Sequence, residues 1–427
     1  MDFNILDYGA RADGTVCTSN IQSAIDAAGV SGGRVIIPEG TFVSGTLRLR
    51  SGVEIHLERG AVLKGSTDMS DYNELDEYEQ NFSSPKIEGW LGKHLIIALY
   101  CEDVAISGEG TLDGSGDFFF AEPVTESIYV WHRGYCYPRD MELLRPGQLV
   151  CFIECKRVRC EGVNLTNQPC WGLYFHGCDD VCVKGINVNN PKCFPNTDGI
   201  DIDSCYNAVV SDCTIHTGDD AIAIRASQKR LKNKEHHCEN ITVTNCEISS
   251  ASSAIRIGVG DGLIKGVRIS DIEISCGAPA LCFVSCYSGK SGVSIEDVVI
   301  SNVKATETTR PIHITEGIGV PMKNILIENF DVETYGYCDI GAQNLGSLSD
   351  LTLKNWRVTL TESPEPITER DAELHGDVWM RVKNVERLKI DGFKVVDPHG
   401  YLGAWSGGAF SFDGCDDREC AGVEIQK

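Results

Sequence analysis

From about residue 96 onward one phrase recurs along the chain. A short run alternates apolar and polar residues, a polar turn follows, and another alternating run completes the unit. IIALYCEDVAISGEGTL (96–112), FIECKRVRCEGVNL (152–165), LYFHGCDDVCVKGINV (173–188) and IDIDSCYNAVVSDCTI (200–215) are early copies. CENITVTNCEI (238–248), VRISDIEI (267–274), VSIEDVVISNV (293–303), IHITEGIGVPMKNILIENFDV (312–332) and VERLKIDGFKV (385–395) are later ones. The two-residue period, rich in Val and Ile and cut by Asn, Asp, Gly or Ser, predicts short strands. One such unit cannot bury its own apolar face, whereas stacked units share a continuous core. A propeller blade needs about 40 residues and four strands, more than these units supply. The pattern therefore predicts an all-β fold, a right-handed parallel β-helix with three short strands per coil. Cys and Asn at like positions of successive coils should stack in ladders.

The N-terminal segment is different. SNIQSAIDAAG (19–29) sets Ile21, Ala24, Ile25 and Ala28 at helical spacing and stops at Gly29. A short helix there would cover the open edge of the first coil, a liability in any solenoid. The expected organisation is a single β-helix domain over 1–427. It has an N-terminal cap and first coils over 1–70, coils with inserted loops over 71–147, and regular coils over 148–427. The repeat breaks at 70–90 and 113–147, and loops on a rigid scaffold often carry the binding site. Trp131, His132, Arg133, Tyr135 and Arg139 are candidate contacts there.

Charge narrows the partners. The chain has 427 residues, 38 basic and 62 acidic, for a net charge of −24. Nucleic acid and anionic membrane surfaces both call for a basic face, so neither is an expected partner. No apolar run approaches the ~18 residues of a spanning helix. Met1 leads straight into Asp2, Phe3, Asn4 and Ile5 without a basic or apolar targeting segment, which predicts a cytoplasmic protein unless a signal was removed. The 20 cysteines are spread along the chain without a two-residue knuckle spacing, and are expected to be buried reduced thiols acting as small hydrophobes. His236-His237 reads as a solvated turn, and the acidic stretch 71–80 lacks a regular calcium-ligand pattern. No metal and no cofactor are expected.

The chemistry concentrates in two adjacent units, NTDGIDIDSC (196–205) and TGDDAIAIRAS (217–227). Asp198 precedes Asp219 by about one coil, which would place side chains one above the other, about 4.8 Å apart. Asp198, Asp219 and Asp220 would then converge on one face, and carboxylates so close cannot all ionise easily. One protonated acid beside one or two ionised groups that activate water is what glycoside hydrolysis requires. Turn formation accounts well for Asp201 and Asp203, and less well for two consecutive Asp after Gly218. Arg225 and Arg256 each follow an inward-pointing Ile and should face outward on the side of the Asp cluster. Trp171 could stack on a sugar ring, and Arg145 lies where it could bind a polar substrate.

These motifs resemble glycoside hydrolase family 28, the polygalacturonase family. FNILDYGARADG and GGRVIIPEGTF look like its entry segment, and Asn196-Thr197-Asp198 and Gly218-Asp219-Asp220 match its motifs in order and distance. Leu144-Arg145-Pro146 and the segment after it look like the stretch preceding the first motif in exo-acting members. The resemblance implies that Asp219 is the general acid, that Asp198 and Asp220 hold and deprotonate the water, and that hydrolysis inverts the anomeric centre. Asn196, Arg145, Arg225, Arg256 and Trp171 are then the expected substrate contacts. Two family motifs are missing. Ser252 and Ser253 stand where Gly-His-Gly is usual, and ALCFVSCYSGK replaces the Arg-Ile-Lys that grips a uronate, with Lys290 displaced. The expected activity is exo-hydrolysis of a small pectin-derived or related plant oligosaccharide. A β-helical lyase or epimerase, or a non-catalytic glycan-binding solenoid, are the alternatives.

Overall fold

The computed structural model describes residues 1–74, 92–123, 136, 139, 144–233, 236–286, 292–362 and 378–427. Among these, strands from Asp2–Asn4 to Glu419–Gln426 belong to two sheets, one of 12 strands and one of 21, and every registered strand pair is parallel. Stacked parallel coils with almost no helix make this a right-handed parallel β-helix. The smaller sheet takes one strand from each coil, among them Val150–Ile153, Leu173–His176, Ile200–Asp203, Ile222–Ala226 and Ile255–Gly260. The larger sheet wraps the other sides. In early coils it is split into two strands, as in Lys156–Glu161 and Asn164–Thr166. In later coils the two merge into single long strands such as Cys238–Ser250 and Ser294–Thr308. The three-strand expectation thus fits the early coils only.

Alternation decides which side chains fill the coil. Leu173, Ile200, Ile222, Ile255 and Leu281 stand in one register column, and Phe175, Ile202, Ile224, Ile257 and Phe283 in another. All ten are buried in one continuous core. Phe152 and Phe175 stack with ring centroids 5.2 Å apart. Thiols repeat at the turn after the smaller sheet. Cys155, Cys178 and Cys205 each donate to a carbonyl of the preceding coil, at Ala98, Phe152 and Phe175, over 3.4 Å. An amide ladder runs down the exterior from Asp271 through Asn302 and Asn329 to Asn355, with steps of 3.0, 3.0 and 2.7 Å. The three Asn residues adopt left-handed backbone, which Asn tolerates better than most residues. The N-terminal helix runs over Thr18–Ser31 and buries Ile21, Ala24, Ile25 and Ala28 against the first coils.

Candidate active site

The outward face of the smaller sheet is the floor of the site. Ile200 pairs with Ile222, an offset of 22 residues per coil. Asp220, rather than Asp219, therefore stands directly beside Asp198, and Asp219 beside Thr197. The backbone confirms the column just before each strand: Gly172 N–H donates to Asp198 O (2.8 Å), Gly199 N–H to Asp220 O (3.0 Å) and Ala221 N–H to Ser253 O (3.0 Å). Gly218 allows this approach. A Cβ there would collide with the Phe194 carbonyl and come within 2.8 Å of Thr197 Oγ1.

The three carboxylates do converge, with oxygens of Asp198, Asp219 and Asp220 all within 4.8 Å of one another. Among the described residues this is the one grouping of ligand atoms close enough to hold a metal ion, and Arg256 already brings a cation to it. Asp220 is buried, ion-paired with Arg256 Nη1 at 2.8 Å, and accepts from the Ser253 N–H at 3.2 Å and the Ser252 hydroxyl at 3.3 Å. Asp219 is half-buried, the most accessible of the three. It accepts from Asn196 N–H (3.2 Å) and from Asp220 N–H (3.0 Å). Burial and the neighbouring Asp220 nevertheless raise its carboxyl to about 6. Burial, then Asp201, Asp219 and Asp220, push Asp198 well above the ordinary carboxylate range. Burial works against the Arg256 guanidinium, but the surrounding Asp220, Asp198 and Asp219 outweigh it and hold it firmly charged. Such a cluster shares its protons and carries fewer than three negative charges near neutrality. Its parts are an acid able to donate near pH 6 and an Arg-paired carboxylate beside it.

The other predicted contacts are distributed unevenly. Arg225 and Arg256 both face outward, as alternation requires, but only Arg256 reaches the carboxylate trio. Arg225 lies over the Trp171 ring at 4.6 Å, with its nitrogens 3.7 Å from Asp201 and 3.7 Å from Asp203. Trp171 is itself nearly buried, with that face covered by the guanidinium. Asn196 sits at the rim and its backbone contacts Asp219. Arg145 is fully buried behind Asn196, away from any surface a substrate could touch. Arg139 donates to the carbonyls of Asp117 and Phe120. Trp131, His132, Arg133, Tyr135 and Lys290 lie outside the described residues. His236 is no solvated turn: it is buried, bonded to Ser204 O (2.6 Å) and Asp179 Oδ1 (2.8 Å) and packed on Tyr206.

Asp201 and Asp203 correct the turn-former reading. Both lie inside the strand Ile200–Asp203 and are fully buried on its outward side. Burial raises Asp201 to about 7, even with Arg225 and Arg256 nearby. Asp203 behaves in the opposite way. Burial would raise it, but His176, Arg225 and the Ser227 N–H (2.6 Å) together hold it below the usual range. Tyr174 also donates to it, at 3.2 Å. The signal was present in the sequence. Ile200 and Ile202 point inward, so Asp201 and Asp203 must point out, by the rule that placed the two arginines.

The profile of the family described as "Glycosyl hydrolases family 28" matches residues 31–240. An endo-polygalacturonase of Pectobacterium carotovorum subsp. carotovorum is 26% identical over 82% of this chain and 86% of its own length. A probable polygalacturonase of Vitis vinifera is 25% identical over 81% of this chain, which spans only 64% of that relative. Among solved structures, an exopolygalacturonase from Thermotoga maritima superimposes with a TM-score of 0.68 at 21% identity, covering 93% of this chain and 91% of its own. With its Asn196-Thr197-Asp198 and Gly218-Asp219-Asp220 segments joined in one cleft inside the stretch that matches the glycosyl hydrolases family 28 profile, the chain is a glycosidase similar to that family.

Proposed function

We propose that this glycosidase is exo-acting and inverting, and that it works on small pectin-derived or related plant oligosaccharides. The observation that carries the reading is the carboxylate trio, within 4.8 Å, with an accessible Asp219 raised to about 6 beside an Asp220 held by Arg256. Asp219 protonates the leaving oxygen. Asp220, assisted by Asp198, holds a water and takes its proton as the glycosidic bond opens. The substrate class follows the polygalacturonase relatives, which include proteins named as endo and as exo enzymes.

Exo action is supported by the floor of the cleft. On the coils before the trio, the outward residues Ile97, Cys151, Ile153 and Tyr174 are at most 4% exposed and form an apolar cluster with Trp171. That stretch of the floor is covered. On the coils after it Cys282 is buried, but the outward residues Arg256, Val284, His313, Thr315 and Asp339 are part-exposed and Arg381 is exposed. A cleft closed at one end and open at the other takes chain ends. A cytoplasmic site of action belongs to the same reading, supported by 20 cysteines, an unusual thiol load for an oxidising compartment.

The test is a screen on defined oligosaccharides, with and without uronic acids, in the presence of a chelator. A hydrolase releases reducing ends without an unsaturated product, whereas a lyase generates the ultraviolet chromophore of one and an epimerase or binder cleaves nothing. Exo action releases the terminal unit from the first turnover, and a rapid fall in polymer viscosity would refute it. The trio is tighter than the ~6.5–9.5 Å usual between the carboxyls of an inverting pair. Inversion therefore has its own test: proton NMR of the first-formed anomer.

A further inference from the structure

We propose that Arg145 is a positioning residue for the acid carboxyl: by anchoring Asn196 it fixes the backbone N–H that donates to Asp219. This rests on the reading of Asp219 as the general acid.

Arg145 lies near the end of the second inserted stretch, 113–147, and is fully buried, a location that charged side chains occupy only when paired or otherwise satisfied. Its guanidinium joins three segments. Nη2 donates to Asn196 Oδ1 at 2.6 Å, Nη1 donates to the Pro169 carbonyl, and the plane lies 5.0 Å from the Phe120 ring centre. Phe120 in turn packs on Phe194, centroids 4.4 Å apart, two residues before Asn196. The planar fork suits this bridging, since its donors are fixed relative to one another.

Asn196 needs an anchor. Its φ is +53°, a left-handed conformation that Asn tolerates, but it sits part-exposed at the rim, where its backbone must be held in place to keep its bond to Asp219. With its side chain held from behind, its N–H points at Asp219 Oδ2 over 3.2 Å. Asp219 Oδ1 is held separately by Asp220 N–H at 3.0 Å. The two donors fix the carboxyl plane and thus the direction in which a proton leaves it. The chain of contacts runs from Arg145 through Asn196 to Asp219, and no step of it requires Arg145 to touch substrate.

The sign of the effect follows. Asp219 is faced by Asp198 and Asp220, by the Arg256 guanidinium and by the Ser252 hydroxyl. Against that background, an N–H donor to Oδ2 favours the ionised form. Releasing Asn196 removes this donor, so Asp219 holds its proton more tightly and in a less defined direction. The basic limb of the pH–rate profile reports loss of the acid's proton, so it should move to higher pH.

Arg145→Met and Arg145→Lys should be compared with the unaltered enzyme on an oligosaccharide substrate and on a nitrophenyl glycoside of the sugar released. For Arg145→Met the expected result is a kcat lower by about 10- to 100-fold, the scale of a misplaced catalytic group. KM should be little changed, the basic limb should rise, and the loss should be smaller on the nitrophenyl substrate, which needs less protonation. Arg145→Lys should recover part of the rate, since Lys can still donate to Asn196. Asn196→Ala should move the basic limb in the same direction, and combining it with Arg145→Met should add little, a readout that survives if Arg145→Met alone folds poorly. A raised KM with kcat and the basic limb unchanged would show that Arg145 contacts substrate and overturn the proposal. Equal losses on both substrates with the limb in place would overturn it as well. Failure of the acid reading itself shows separately: Asp219→Asn would then gain nothing from the nitrophenyl leaving group, whatever Arg145 does.

Discussion

Replacing Asp219 by Asn should remove activity and at the same time add stability, in a pH-dependent way that the structure sets. Asp219 has its carboxyl raised from the ordinary 3.8 to about 6 by burial and by Asp220. That is about two pKa units, each worth about 1.4 kcal/mol, so the ionised form costs the folded state about 3 kcal/mol at most. Because the folded value lies above the unfolded one, the protonated form folds without penalty. Below about pH 4 wild type and Asp219→Asn should therefore differ only by a constant. That constant includes the strained contact between the new amide and one of the two N–H groups at 3.2 and 3.0 Å, a loss of roughly 1–3 kcal/mol. As pH rises through 4 to 6 the wild type loses the Asp219 contribution, which the variant lacks, while the losses from Asp198 and Asp201 are common to both. By pH 7 to 8 the difference should have moved by up to about 3 kcal/mol in favour of Asn. Denaturant unfolding of both proteins from pH 4 to 8 measures this directly, and the pH-dependent part is free of the constant term. Activity on the natural substrate should fall by about 10²- to 10⁴-fold, the usual worth of a general acid. A stability difference that stays flat across this range, or near-full activity of the variant, would refute the reasoning.

Asp198→Asn and Asp220→Asn should also be inactive on the natural substrate, and a nitrophenyl leaving group should restore neither, since water activation does not depend on the leaving group. It should restore part of the Asp219→Asn activity. Arg256→Met leaves Asp220 buried without its 2.8 Å partner; thermal or denaturant unfolding should show a loss of about 3–5 kcal/mol. Ser252→Ala removes one 3.3 Å hydroxyl contact, and Ser253→Ala keeps the backbone N–H that Asp220 uses. Both should retain rates within about tenfold of wild type, which initial-rate kinetics would show, because a neutral hydrogen bond is worth about 1 kcal/mol.

Local signals reached a good distance into this protein. The period of two, repeated at coil spacing, determined the β-helix, because one coil cannot bury its own face and only stacking can. The spacing within SNIQSAIDAAG determined the capping helix, which the structure extends to Thr18–Ser31. The same alternation oriented Arg225 and Arg256, and applied to Ile200 and Ile202 it would have oriented Asp201 and Asp203 too. Coil spacing also brought the three carboxylates together, to within one residue of register.

What remained undecided by sequence are quantities that depend on what lies across the coil rather than along it. Whether Asp219 or Asp220 stands beside Asp198 turns on an offset of 22 residues, set by how the strands pair. Arg145 and Arg256 have the same charge, yet one is locked behind Asn196 and the other grips Asp220, because packing from separate segments decides which of them faces the cleft. The proton affinities of Asp198, Asp201 and Asp219 likewise rise through burial and through one another's charge. Both effects exist only once distant coils are stacked, since desolvation and charge interaction fall away in the extended chain.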